Sequence, residues 1–91
     1  MNETIPAASI KNTILAVLSD VLAEPVKALR AEPVLGVHAW DSLASLEALV
    51  QIEKRLDVAL DLRPYHAARE IDDLVQLVEA AREIQSTKVR P

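Results

Sequence analysis

The sequence predicts an all-α fold: a small four-helix bundle of three longer helices and one short one, with a long loop between the first helix and the second. Three observations carry this. The chain is 51% hydrophobic but holds only Trp40 and Tyr65 as aromatics and no Phe, so its core must be aliphatic. It has a single glycine. Its apolar residues recur with the 3.6 period of a helix rather than the alternation of a strand. Ninety-one residues read as one small domain over 1–91 with its ordered core over 9–85, near the lower limit at which a single core suffices.

The first helix is expected over Ser9 to Glu24. Ile10, Ile14, Val17, Leu18, Val21 and Leu22 recur at i, i+4, i+7, i+8, i+11 and i+12, which is one face of a four-turn helix. Pro25 is a sensible stop just beyond it. Residues 1–8 read as a loose leader, with Pro6 suited to a turn or a helix start.

Residues 25–41 form a long connection containing Pro25, Pro33 and Gly36. Links between helices of small bundles usually run to about 2–8 residues, so this one is an outlier. It is not polar, because Val26, Leu29, Val34, Leu35, Val37 and Trp40 all require cover. The segment is therefore expected to be ordered and packed across the helix ends, with a short turn at Val26–Arg30.

A second long helix is expected from Ser42 to Leu56. An Asp or Ser ahead of an apolar-periodic run marks a helix start, since a short side-chain oxygen can accept from an orphan N–H. If Asp41 takes the cap, the Ser42 hydroxyl is left free at a positive helix end, where a phosphate is well placed. If Ser42 is itself the cap, it does nothing more. At 100° per residue, Ser45, Ala48, Leu49, Ile52 and Leu56 share one arc, which reads as a core face. Leu43, Leu46 and Val50 share a neighbouring arc edged by Glu47 and Glu53. That second arc is either a docking strip for a basic partner or the border of a broad core face, and the angles favour neither.

Residues 57–70 lead to the last helix, with Pro64 suggesting a short third helix from Pro64 to Arg69. Asp72 is the expected cap of the fourth, in which Leu74, Leu77, Val78 and Ala81 fall at i, i+3, i+4 and i+7. It is expected to end near Gln85 and to leave Ser86 to Pro91 frayed.

Composition removes several function classes. The chain has no cysteine, which excludes disulfides, thiolate metal sites and a Cys nucleophile. Its net charge of −4 argues against nucleic acid and against an anionic membrane surface. No apolar run approaches a membrane span and no signal peptide is evident, so the cytoplasm is the default compartment. His38 and His66 are too few for a metal site, and a surface or loop role is expected of each. His38, Asp41 and Ser42 are the residue types of a hydrolase triad, but they lie within five residues of one another and no other segment offers an oxyanion hole. With no Gly-rich phosphate loop and little room for a preorganised pocket, the chain is not expected to be an enzyme in its own right.

Over Ser9 to Gln85 the chain resembles an acyl carrier protein. The likeness rests on the helix order, the long first loop, and Asp41-Ser42-Leu43 opening the second long helix. Leu46-Glu47, Ile52-Glu53, Leu56-Asp57 and Leu60 continue it. The resemblance implies that Ser42 is the attachment site of a 4′-phosphopantetheine arm, with Asp41 as the preceding aspartate of the motif. It also implies that Leu43, Leu46, Glu47, Val50 and Glu53 meet partner enzymes, which favours the docking reading of the second arc. Ser42 would act as a nucleophile once, when a phosphopantetheinyl transferase moves the arm from coenzyme A with Mg²⁺. Acyl intermediates would then ride as thioesters on the cofactor's thiol, and the protein would present them to loading, condensing or transferring enzymes, as a monomer. An arm comparable to about five extended residues, roughly 16–18 Å, reaches into a partner's tunnel.

Some features depart from the common pattern of that family. Leu35-Gly36 lies further upstream than usual, and Ala39-Trp40 precedes Asp41. Lys54 and Arg55 interrupt the acidic stretch, and residues 62–70 run a few positions long. These point to a specialised pathway, polyketide, siderophore or mixed peptide, rather than housekeeping fatty-acid synthesis. The alternatives are a peptidyl or aryl carrier, against which Asp41 weighs mildly, and a helical interaction module in which Ser42 is only a cap.

Overall fold

A computed structural model describes the backbone of residues 7–87 and the side chains of residues 9–84. Helix α1, Ala7–Leu22, buries Ile10, Ile14, Leu15, Val17 and Leu18, close to the arc its periodicity predicts. It ends where Ala23 turns left-handed at φ 56° and the Glu24 N–H reaches back to the Ser19 carbonyl at 3.2 Å. That six-to-one bond satisfies a carbonyl the helix leaves orphaned, and Pro25 then prevents continuation. Of the expected leader, residues 1–6 lie outside the described residues, while Ala7 and Ala8 are already helical.

The connection after α1 is more structured than expected. Helix α2, Val26–Ala31, occupies the place of the predicted short turn, and a 3₁₀ turn spans Leu35–His38. The described chain thus has five α-helices rather than four. Leu29 and Leu35 anchor this segment in the core, but Val34 and Val37 are exposed, against the expectation that both need cover. Backbone bonds hold it from the far side: the Leu35 N–H donates to the Arg69 carbonyl and the Ile71 N–H to the Pro33 carbonyl, each at 2.9 Å. This pairing forms an isolated bridge between Val34 and Glu70, and no strand occurs among the described residues.

Helix α3, Ser42–Leu56, begins and ends where the sequence places it. It stops at Asp57, left-handed at φ 54°, whose N–H donates to the Glu53 carbonyl. The Arg82 guanidinium donates to the Leu56 carbonyl at 3.0 Å, so the last helix covers one of the open carbonyls of α3.

Helix α4, Leu62–Ala67, starts two residues earlier than expected, because Asp61 caps it through the Arg63 N–H at 3.2 Å. Helix α5, Ile71–Thr87, also starts earlier than an Asp72 cap implies. Asp73 serves instead, accepting from the Arg69 and Glu70 N–H groups at 3.0 Å each. A carboxylate three residues into a helix that reaches back to the cap N–H is half of a capping box. The Arg69 N–H first, then that of Glu70, hold its pKa below the usual carboxylate value. The helix continues past the expected end at Gln85 to Thr87, and residues 88–91 lie outside the described residues. Helix α1 packs against both α3 and α5. The core between them is the expected aliphatic set, joined by one aromatic, Tyr65. No helix among the described residues is long and apolar enough to cross a membrane.

Candidate functional site

The site is built at the start of α3. Asp41 has extended backbone angles, and its Oδ1 accepts from the Ala44 N–H at 2.8 Å. It is therefore the cap, and Ser42 becomes the first helical residue with an exposed side chain. The Ser42 hydroxyl makes no hydrogen bond among the described residues. Of the two readings the sequence leaves open, the structure has the one with a free hydroxyl at a positive helix end.

Helix α3 separates its two arcs. Ser45, Ala48, Leu49, Ile52 and Leu56 are all buried. Leu43, Leu46 and Val50 are 67%, 47% and 59% exposed, so the second arc is an uncovered apolar strip and not a core border. Glu47 is exposed beside it. Asp20 and Val21 of α1 join Leu46, Glu47, Val50 and Gln51 in lining a groove between the two helices. Neither Asp20 nor Glu47 has an ion-pair partner among the described residues. Val21 packs against the core, as its place on the α1 face predicts, and also edges this groove; the periodicity of α1 does not point to the contribution of Asp20. The available signal was an acid next to a valine at the edge of the α1 arc.

Glu53 behaves differently from Glu47. It is half-buried, and its Oε2 accepts from the Leu60 N–H at 2.8 Å, so it holds the turn between α3 and α4. One of its oxygens is thus engaged within the fold, and its expected place among the partner-facing acids remains a proposal. Distance along the helix explains the difference: Glu53 sits at the end that must be closed, Glu47 in an open middle turn.

Three further residues support the site. Tyr65 is buried, and its hydroxyl donates to the Ser45 carbonyl at 2.6 Å. Burial first, then the nearby Glu53 carboxylate, push its pKa upward, outweighing that bond, so the phenol stays neutral. Trp40, just ahead of Asp41, lies with its ring 6.3 Å from the Tyr65 ring and tilted 58° to it. His38 lies in the connecting segment, as the expected surface or loop role allows, but it is only 5% exposed and so is not a surface residue. Its Nδ1 lies 2.8 Å from Glu24 Oε1 and its Nε2 2.6 Å from the Glu32 carbonyl oxygen. Both ring nitrogens are thereby engaged away from Ser42, so the three triad residue types are not joined into a triad. His66 is exposed, as expected.

No three of His, Asp or Glu lie together as potential metal ligands among the described residues. Comparison with family models, with curated proteins and with solved structures finds no match to this chain.

Proposed function

We propose that this chain is a carrier protein whose Ser42 takes a 4′-phosphopantetheine arm and whose α3 face presents the cargo to partner enzymes. One observation carries the reading: a serine hydroxyl left free by its neighbour's cap stands one turn from an uncovered apolar strip. A structural cap would use its oxygen, and a core-border strip would be covered.

The residues present suit the group. Ser42 Oγ attacks the phosphorus next to the pantetheine of coenzyme A, forming a new O–P bond as the bond to 3′,5′-ADP breaks. The serine proton passes to a base of the transferase, and the leaving group departs with the electron pair. The α3 N-terminus favours the phosphodiester anion that results. Asp41, committed to the Ala44 N–H, keeps the serine in the first turn and unhindered. When attached, the arm supplies the thiol on which acyl groups travel as thioesters, which a chain without cysteine does not itself provide.

Leu43, Leu46 and Val50 form the apolar part of the docking face, with Glu47 and Asp20 as its acids. The partner this suits has an apolar contact rimmed by Lys or Arg, because complementary charge steers encounter while desolvated apolar area holds the complex. A specialised pathway rather than a housekeeping one follows from the departures around Ala39-Trp40 and Lys54-Arg55. The experiment is transfer of a labelled phosphopantetheine from a coenzyme A derivative by a broad-specificity transferase. The folded chain accepts the label if the reading is right. A helical interaction module of the same shape accepts none while still binding a partner through the strip.

A further inference from the structure

The His38 ring faces two oxygens and no donor. Glu24 Oε1, on one side, belongs to a carboxylate, and the Glu32 oxygen, on the other, to a backbone carbonyl. Ionised carboxylates and carbonyls only accept, so both contacts are hydrogen bonds only when both ring nitrogens carry a proton. A neutral imidazole would turn one lone pair toward an oxygen at under 3 Å, in a place too buried for water to intervene.

The two acceptors lie on different elements. Glu24 sits in the turn after α1 and Glu32 at the end of α2, whereas His38 closes the 3₁₀ turn. The ring therefore joins three consecutive pieces of the connection. Only Ala39, Trp40 and Asp41 separate it from Ser42. That short stretch is itself constrained: Ala39 is left-handed at φ 60° and its carbonyl accepts from the Asp41 N–H at 2.9 Å. The far side of the same segment is held to residues 69–71 by two backbone bonds, which do not titrate.

We propose that His38, as a doubly protonated ring, is the positioning residue of the Ser42 turn, buckling residues 33–38 onto the turn after α1 and releasing them when it loses a ring proton. The charged groups facing the ring are Glu24 and Glu32, both carboxylates. The Glu32 carbonyl bond, then the Glu24 carboxylate, raise its pKa above the ordinary 6.5, while burial opposes them. The sign follows from linkage. A raised folded-state pKa means stabilisation that is complete below 6.5 and is lost as pH rises through the folded value. The Ser42 turn is thus held on the acid side of the ring's midpoint and loosened on its alkaline side. The effect on modification rests on the carrier reading; the state of the ring does not.

The test has two readings on the full chain. Long-range ¹H–¹⁵N spectra across about pH 5.5 to 9 report the His38 ring directly. Both nitrogens are expected to carry protons below a midpoint that lies above that of the same ring in the urea-unfolded chain. The second reading is the rate of label transfer to Ser42 in the parent divided by that in His38→Gln, which cancels the transferase's own pH response. That ratio is expected to fall as pH rises through the midpoint of the ring. A midpoint no higher than that of the unfolded chain, or a ratio that does not change with pH, overturns the proposal. If His38→Gln does not fold, Glu24→Gln replaces it, and the midpoint should drop because the carboxylate is gone; an unmoved midpoint also overturns it. Should the parent accept no label at any pH, the carrier reading fails and amide exchange at Val37 and Asp41, corrected for intrinsic rates, becomes the second reading. Protection there must then fall through the same midpoint, and unchanged protection overturns the proposal.

Discussion

The Tyr65 hydroxyl donates to the Ser45 carbonyl at 2.6 Å, joining α4 to the first turn of the helix that displays Ser42. The ring fills the core while its one polar atom finds a backbone acceptor, which is what a buried tyrosine requires. Tyr65→Phe keeps the volume and removes a neutral bond, so it should cost about 0.5–1.5 kcal/mol. Tyr65→Ala adds a cavity and should cost about 3–5 kcal/mol. Urea denaturation of both variants checks the difference, and equal losses would mean that the hydroxyl, not the ring, dominates.

The separation of arcs on α3 makes a sharper claim about neighbours two residues apart. Ile52 is fully buried and Val50 is largely exposed. Ile52→Ala should lower stability by about 2–5 kcal/mol, a large part of a small domain's total. Val50→Ala should stay within about 0.5 kcal/mol. Thermal melts of the pair suffice, and a reversed order would mean that α3 is rotated about its axis.

Val50 and Glu47 then test the face itself. Glu47→Lys should slow phosphopantetheine transfer without unfolding the domain, and the defect should shrink as salt screens the charge. Val50→Asp should slow transfer at every salt concentration, because it carries a charge into a desolvated contact. Steady-state kinetics at low and high ionic strength, with circular dichroism to confirm folding, provide the measurement. Two folded variants as fast as the parent would remove α3 as the docking face.

Glu53 should respond to shape rather than charge. Glu53→Gln retains an acceptor for the Leu60 N–H, whereas Glu53→Ala leaves that N–H without its partner. The alanine variant should lose about 1–3 kcal/mol and the glutamine variant clearly less. Transfer kinetics of Glu53→Gln should stay near those of the parent, unlike Glu47→Lys. A glutamine variant that is stable but slow would place the Glu53 charge on the docking face.

Much of this was legible along the chain because it is local. The start of α3 and both of its arcs follow from spacing within one helix, which periodicity reports directly, whereas the choice of Asp41 over Ser42 as the cap took the folded chain. Helix α2 was less legible: it has six residues, no side-chain cap hydrogen bond, and Leu29 as its single buried residue. Tertiary cover, not propensity, decides so short a helix. The roles of His38, Tyr65 and Glu53 were hidden for another reason. Their partners lie 14, 20 and 7 residues away, at Glu24, Ser45 and Leu60, and only the folded chain brings them together. Asp20 was hidden likewise, since its groove exists only once α1 lies beside α3.

Intact mass after incubation with coenzyme A, Mg²⁺ and a broad-specificity phosphopantetheinyl transferase tests the central claim most directly. The parent chain should gain the mass of one phosphopantetheine, located on the peptide containing Ser42, and folded Ser42→Ala should gain nothing. No gain in the parent with a transferase shown to be active on another carrier, or a gain that persists in Ser42→Ala, would contradict it.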